Sequence, residues 1–174
     1  MAIVPDDKDW TWVLERQCSE CGFDPAAVRF AEVPGVTRRH VALWVHLLES
    51  RTGLGARPDE ATWSPLEYAA HLRDVCRIML ARLDLMLVLD NPDFANWDQD
   101  ETALAADYGS QDPAVVAVEL AASGEAIARA IELVPASALE RTGQRSNGSR
   151  FTVATLVPYF LHDLVHHGRD VGLV

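Results

Sequence analysis

Ser64-Pro65-Leu66-Glu67 contains every element of a helix start. The Ser64 hydroxyl can cap a backbone N–H one turn on, and the Glu67 carboxylate can return the bond to the Ser64 N–H. Pro65 takes the first helical position, where its missing N–H costs nothing. Apolar residues then recur with a period of about 3.6 (Leu72, Cys76, Met79, Leu83) as far as Leu89, and Asn91-Pro92 ends the run. Asp112-Pro113 repeats the cap-plus-proline start and opens a segment reaching Leu133, before Pro135.

Two further segments share this period. One runs from Val36 to Ser50 through Val41, Trp44, Val45 and Leu48, and Gly53 and Gly55 stop it. The other runs from Thr152 to about Gly168, a glycine suited to a left-handed C-terminal cap. Between the last two segments, Glu140 to Arg150 is polar and contains Asn147-Gly148, which favours a type I′ turn and predicts a small β-hairpin. Asn91 to Ser110 is a long connection carrying Phe94, Trp97, Asp98, Asp100, Glu101 and Tyr108, and long structureless connections in compact chains are often functional. The expected architecture is all-α: a four-helix bundle with long connections and one hairpin, residues 1–174 forming a single domain.

Charge narrows the partners. A net charge of −11 argues against nucleic acid and anionic membranes, which require clustered Lys and Arg. The apolar run from Ile78 to Leu89 is interrupted by Arg82 and Asp84 and is too short to span a bilayer. No basic-then-apolar leader is apparent, so a soluble, cytoplasmic protein is expected.

The chemistry-bearing residues are histidines. His162-Asp-Leu-Val-His166 places two imidazoles one helical turn apart on one face, a spacing that lets both grip one first-row metal. At about 100° per residue, Thr155, Tyr159, His162, His166 and Arg169 form one stripe. Leu156, Phe160, Leu161, Leu164 and Val165 form the opposite side. His167 falls off the stripe and reads as a surface residue. His71 lies at the edge of an apolar face, in a row with Val75, Ile78 and Arg82, and suits either a ligand or a boundary histidine with an ordinary partner. Pro158 interrupts the same helix and predicts either a kink or a later start.

Cys18-Ser-Glu-Cys21 has a metal or redox spacing, but zinc needs a second ligand pair at matching spacing, and none is expected to follow. Glu15, Glu20 and Asp24 crowd the pair and disfavour a reactive thiolate. Two reduced cysteines in a loop are expected, with a disulfide or a metal accessory as the alternative, and Cys76 is expected in the core.

Three stretches together carry a family resemblance: Trp63-Ser-Pro-Leu-Glu-Tyr-Ala-Ala-His71-Leu-Arg-Asp-Val, Phe94-Ala-Asn-Trp-Asp-Gln-Asp-Glu101, and Arg150-Phe-Thr-Val-Ala-Thr-Leu leading to His162-Asp-Leu-Val-His166-His. In these the chain resembles the DinB-like (YfiT-like) superfamily of bacterial helix bundles. That superfamily includes thiol-dependent S-transferases and the mycothiol-dependent maleylpyruvate isomerase. The opening Asp9-Trp-Thr-Trp-Val-Leu-Glu-Arg with Glu20-Cys-Gly-Phe-Asp looks like an actinobacterial branch. The resemblance implies a divalent metal, zinc or nickel, held by three histidines that map onto His71, His162 and His166. It also implies pairing of subunits, and Trp44 and Trp63 suggest more apolar surface than one bundle needs, so a homodimer is expected.

Three neutral imidazoles would leave a metal its full charge, which activates a thiol or a water. No glutamate follows His162 as in the metalloprotease helix; Asp163 stands there, off the ligand stripe. Arg82, Asp98, Glu101 and Tyr159 are the candidate substrate contacts. The expectation is a metal-dependent thiol S-transferase or isomerase acting on a small molecule, with mycothiol as co-substrate. A metal-dependent hydrolase and a non-catalytic metal- or ligand-binding stress protein are the alternatives.

Overall fold

The computed structural model describes residues 9–173. Its four long helices are α1 (Val33–Ser50), α2 (Pro65–Val88), α4 (Pro113–Glu132) and α5 (Val153–Asp170), with a short α3 (Gln99–Ala105) between α2 and α4. Strands β1 (Asp93–Phe94), β2 (Thr142–Arg145) and β3 (Arg150–Thr152) form one small sheet.

Local chemistry sets the helix starts. The Glu67 N–H donates to Ser64 Oγ at 3.3 Å and the Ser64 N–H donates to Glu67 Oε2 at 2.9 Å, completing the capping box. Asp112 caps α4 by accepting from the Ala114 N–H at 2.8 Å. Thr152 and Thr155 build a second box that opens α5. From there α5 runs unbroken through Pro158, so the alternative of a later start does not hold. It also continues past Gly168 to Asp170, and Gly172 (φ +72°) takes the left-handed position expected of Gly168.

Each long helix buries its apolar stripe. Leu72, Cys76, Met79 and Leu83 of α2 meet Leu156, Phe160, Leu161 and Leu164 of α5 in one core, together with Trp44, Leu120, Ile127 and Ile131. Around the bundle, α1 and α2 each lie between α4 and α5, so these two consecutive helices sit diagonally opposite. Gly124 permits the close approach of α4 to α1, since a Cβ there would stand 2.6 Å from Val41 Cγ2.

The Asn91–Ser110 connection is more ordered than its sequence indicates: it contributes β1, α3 and a 3-10 turn at Tyr108–Ser110. β1 pairs parallel to β2, with Asp93 opposite Gln144, and β2 pairs antiparallel to β3, with Thr142 opposite Thr152. The hairpin forms as expected, but only Gly148 (φ +94°) of the Asn147-Gly148 pair has positive φ. A type I′ turn needs both, so its turn type differs. The sheet holds Arg145 beside α5, and the 3-10 turn Trp10–Leu14 packs onto α5 on the stripe that carries the histidines.

Candidate metal centre and cavity

His162 and His166 occupy successive turns of α5, their rings 4.9 Å apart and only 2% and 8% exposed. The N-terminal segment covers them. Trp10 lies 5.4 Å from the His162 ring and 4.8 Å from the His166 ring, and Phe23 stands edge-on to His162 at 5.5 Å. Both nitrogens of His162 are buried with no hydrogen-bond partner among the described residues. Burial, reinforced by His166 and His167, pushes its pKa down to about 3, so the ring is neutral as a ligand must be.

The Cys-x-x-Cys turn closes against this pair. The Cys18 N–H donates to the Phe23 carbonyl and the Gly22 N–H to the Cys18 carbonyl, each at 2.8 Å, with Gly22 at φ +77°. Cys18 Sγ then lies 3.8 Å from His166 Nδ1. One donor atom each from Cys18, Cys21, His162 and His166 fall within 4.8 Å of one another, a set that could hold a metal ion. The cysteines are free thiols, as expected, and burial pushes Cys21 up to about 11. The expectation that no second pair follows is corrected by the histidine pair, which the far end of the chain brings beside the cysteines. A Cys-x-x-Cys followed at any distance by His-x-x-x-His was the available signal.

His71 falls outside that four-donor set. It is 1% exposed on α2, stacked on Trp97 at 5.3 Å with 7° between the planes, and edge-on to Trp63 and His167 at 5.1 Å each. Burial first, and then His167, hold its pKa well below the usual histidine range, and its Nδ1 has no partner among the described residues. The close four-atom set contains His162 and His166 but not His71. His167 is not the surface residue expected: its side chain is 18% exposed, lies tilted against Tyr68 at 4.6 Å and pairs with Asp170 at 3.0 Å.

A cavity of about 270 Å³ opens beside the pair, lined by His162, His166, Asp163, Tyr159, Arg82 and Arg145, with Trp63 and Trp97 among its walls. Arg82 donates to the Ala95 carbonyl at 3.1 Å and lies over Phe94; burial, aided by Arg145, pushes it down to about 10. Arg145 stacks over Phe151 and Tyr159 at 5.4 and 5.6 Å, and its Nε is buried without a partner among the described residues. Burial pushes Asp163 up to about 6, against the pull of His167, Arg145 and Arg82. Sequence reasoning missed Arg145, because only the hairpin brings it to α5, and it left Asp163 off the ligand stripe.

Of the four candidate substrate contacts, Arg82 and Tyr159 line this cavity. Asp98 and Glu101 line a separate, shallow depression on α3 with Trp97 and Thr102. The Asp98 carboxylate caps that helix, accepting from the Glu101 N–H at 2.8 Å. Among the described residues, no helix is long and apolar enough to cross a membrane.

No curated protein sequence matches the chain. A solved structure described as "YfiT from Bacillus subtilis is a probable metal-dependent hydrolase with an unusual four-helix bundle topology" has the same fold. Its TM-score is 0.74 at 17% identity, over 83% of this chain and 85% of that one. The family model described as the DinB superfamily matches residues 33–171. With that match over most of its length, the chain belongs to the DinB superfamily.

Proposed function

We propose that the chain is a metal-dependent enzyme of the thiol S-transferase or isomerase class, acting on a small anionic molecule held in the cavity. His162 is the observation that carries this reading. Leaving a buried polar atom unsatisfied costs about 1–3 kcal/mol, and this ring leaves two, directly beside a second imidazole. A divalent metal, zinc or nickel, is the partner such an arrangement suits. His162 and His166 would hold it; His71, the family's third histidine, is buried on the facing helix α2. A metal there would lower the pKa of a thiol or water that reaches it.

The rest follows from the chain's own side chains. Arg82 and Arg145 offer two guanidiniums to an anionic group, the geometry that carboxylates favour. Tyr159 lines the space between them and the histidines. Trp63 and Trp97 exclude water and give a flat apolar surface to the substrate. The co-substrate would be a low-molecular-weight thiol of the mycothiol type, and the working form a homodimer.

Asp163 favours hydrolysis as a second reading. A carboxylate pushed up to about 6 in the same cavity is suited to take a proton from water near neutral pH. Metal content measured without chelator, followed by parallel assays of thiol conjugation and of ester, amide and lactone hydrolysis, separates the readings. Conjugation that disappears with chelator supports the transferase. Metal-dependent hydrolysis with no thiol requirement replaces it with the hydrolase. Silence in every assay, with metal bound, leaves a metal-binding protein without turnover.

A further inference from the structure

We infer that the chain binds zinc through Cys18, Cys21, His162 and His166, so that the N-terminal turn and helix α5 share one metal. This rests on the proposal that a metal sits at the α5 histidine pair, and it names the remaining ligands.

Distances support the assignment. Zinc–sulfur and zinc–nitrogen bonds of about 2.3 and 2.0–2.1 Å in a tetrahedron put a sulfur about 3.6 Å from a nitrogen. Cys18 Sγ and His166 Nδ1 are 3.8 Å apart, and all four donors lie within 4.8 Å of one another. Small side-chain rotations would complete the closure. Two sulfurs with two imidazole nitrogens suit zinc, and the spacings Cys-x-x-Cys and His-x-x-x-His belong to closed tetrahedral sites.

The surroundings agree. His162 has no protein partner for either nitrogen among the described residues, and both cysteines are unbridged. Glu20 sits between the two cysteines on the same turn, its Oε2 3.6 Å from His166 Nε2. A carboxylate on the far nitrogen of a ligand histidine fixes its orientation and raises its basicity. Cys18 and Cys21 precede residues 33–171, the part matched to the superfamily, so these two ligands come from outside it. His71, stacked on Trp97, is not one of the four donors.

Four protein ligands leave zinc no vacant position. The metal would then staple the N-terminal segment onto α5, and chemistry at the metal would require a ligand to leave.

The test loads metal-free protein with one equivalent of cobalt(II) and records its absorption, alongside zinc content. Wild type should show thiolate-to-cobalt charge transfer in the near ultraviolet. Bound zinc should protect two thiols from a thiol reagent, and chelator should release them. C18S/C21S should lose the charge-transfer band and more than tenfold in zinc affinity with helix content unchanged, while His71→Ala keeps both. Glu20→Gln should weaken zinc about tenfold. One tightly bound zinc in C18S/C21S, lost instead in His71→Ala, overturns the four-ligand site while a metal at the histidine pair survives. Absence of metal binding in every form overturns both.

Discussion

Replacing His162 by leucine should stabilise the metal-free protein and weaken the metal-bound one. In the free protein the substitution removes two buried, unpartnered nitrogens, worth about 2–6 kcal/mol together. Against that, it gives up ring contacts with Trp10, Phe23 and His166, worth about 1.5–4.5 kcal/mol in total. The balance is a gain of about 1 kcal/mol, and at this chain length each kcal/mol moves Tm by about 2–4 °C. Metal reverses the order, since zinc at a hundred times its wild-type Kd stabilises the wild type by about 2.7 kcal/mol and the variant, one ligand short, by less. Acid adds a second signature. The folded His162 pKa, about 3, lies below the ordinary histidine value of 6.5, so its stability contribution is complete above 6.5 and lost as pH falls toward 3. The leucine variant lacks that component of the slope. Thermal melts of both proteins in chelator and in excess zinc, at neutral and mildly acidic pH, give the comparison. A leucine variant that melts below wild type in chelator, or a zinc shift of equal size in both proteins, would refute the reasoning.

Asp163→Asn should slow turnover by about 10²–10⁴-fold if Asp163 moves a proton. It should also remove the loss of activity below the carboxyl pKa of about 6, and an unchanged pH profile excludes that role. Gly124→Ala should destabilise the fold by about 1 kcal/mol, because crowding the stiff Val41 side chain outweighs the helix propensity gained; equal or higher stability in urea would count against the close α1–α4 contact. Trp44 and Trp63 are buried in the chain's own core, so the expected homodimer would have to use other apolar surface. Val115 and Val118 on α4, 52% and 70% exposed, are suited to it. Light scattering should give twice the chain mass and Val118→Glu half of that, whereas a wild-type monomer at micromolar concentration removes the dimer.

The bundle was legible because its signals are local. Ser64 with Glu67, and Asp112 with Pro113, satisfy helix ends within one turn of chain, and the apolar period of α2 and α5 names the faces they bury. The hairpin was legible for the same reason, and so was the side of α5 that carries His162 and His166. Other features needed tertiary structure. Cys18 and His166 are 148 residues apart, and no local rule says that the Trp10 turn closes over α5 or that a cysteine pair meets a histidine pair. Spacing shows that each pair could grip a metal, but only chain topology decides which pairs share one. The same holds for Arg145, carried to Tyr159 by a sheet whose parallel partner β1 lies within a connection that looked structureless. It holds too for His71, whose neighbours Trp97 and His167 come from two other segments. Capping and periodicity act over a few residues, whereas a donor set or cavity is a property of the packed whole.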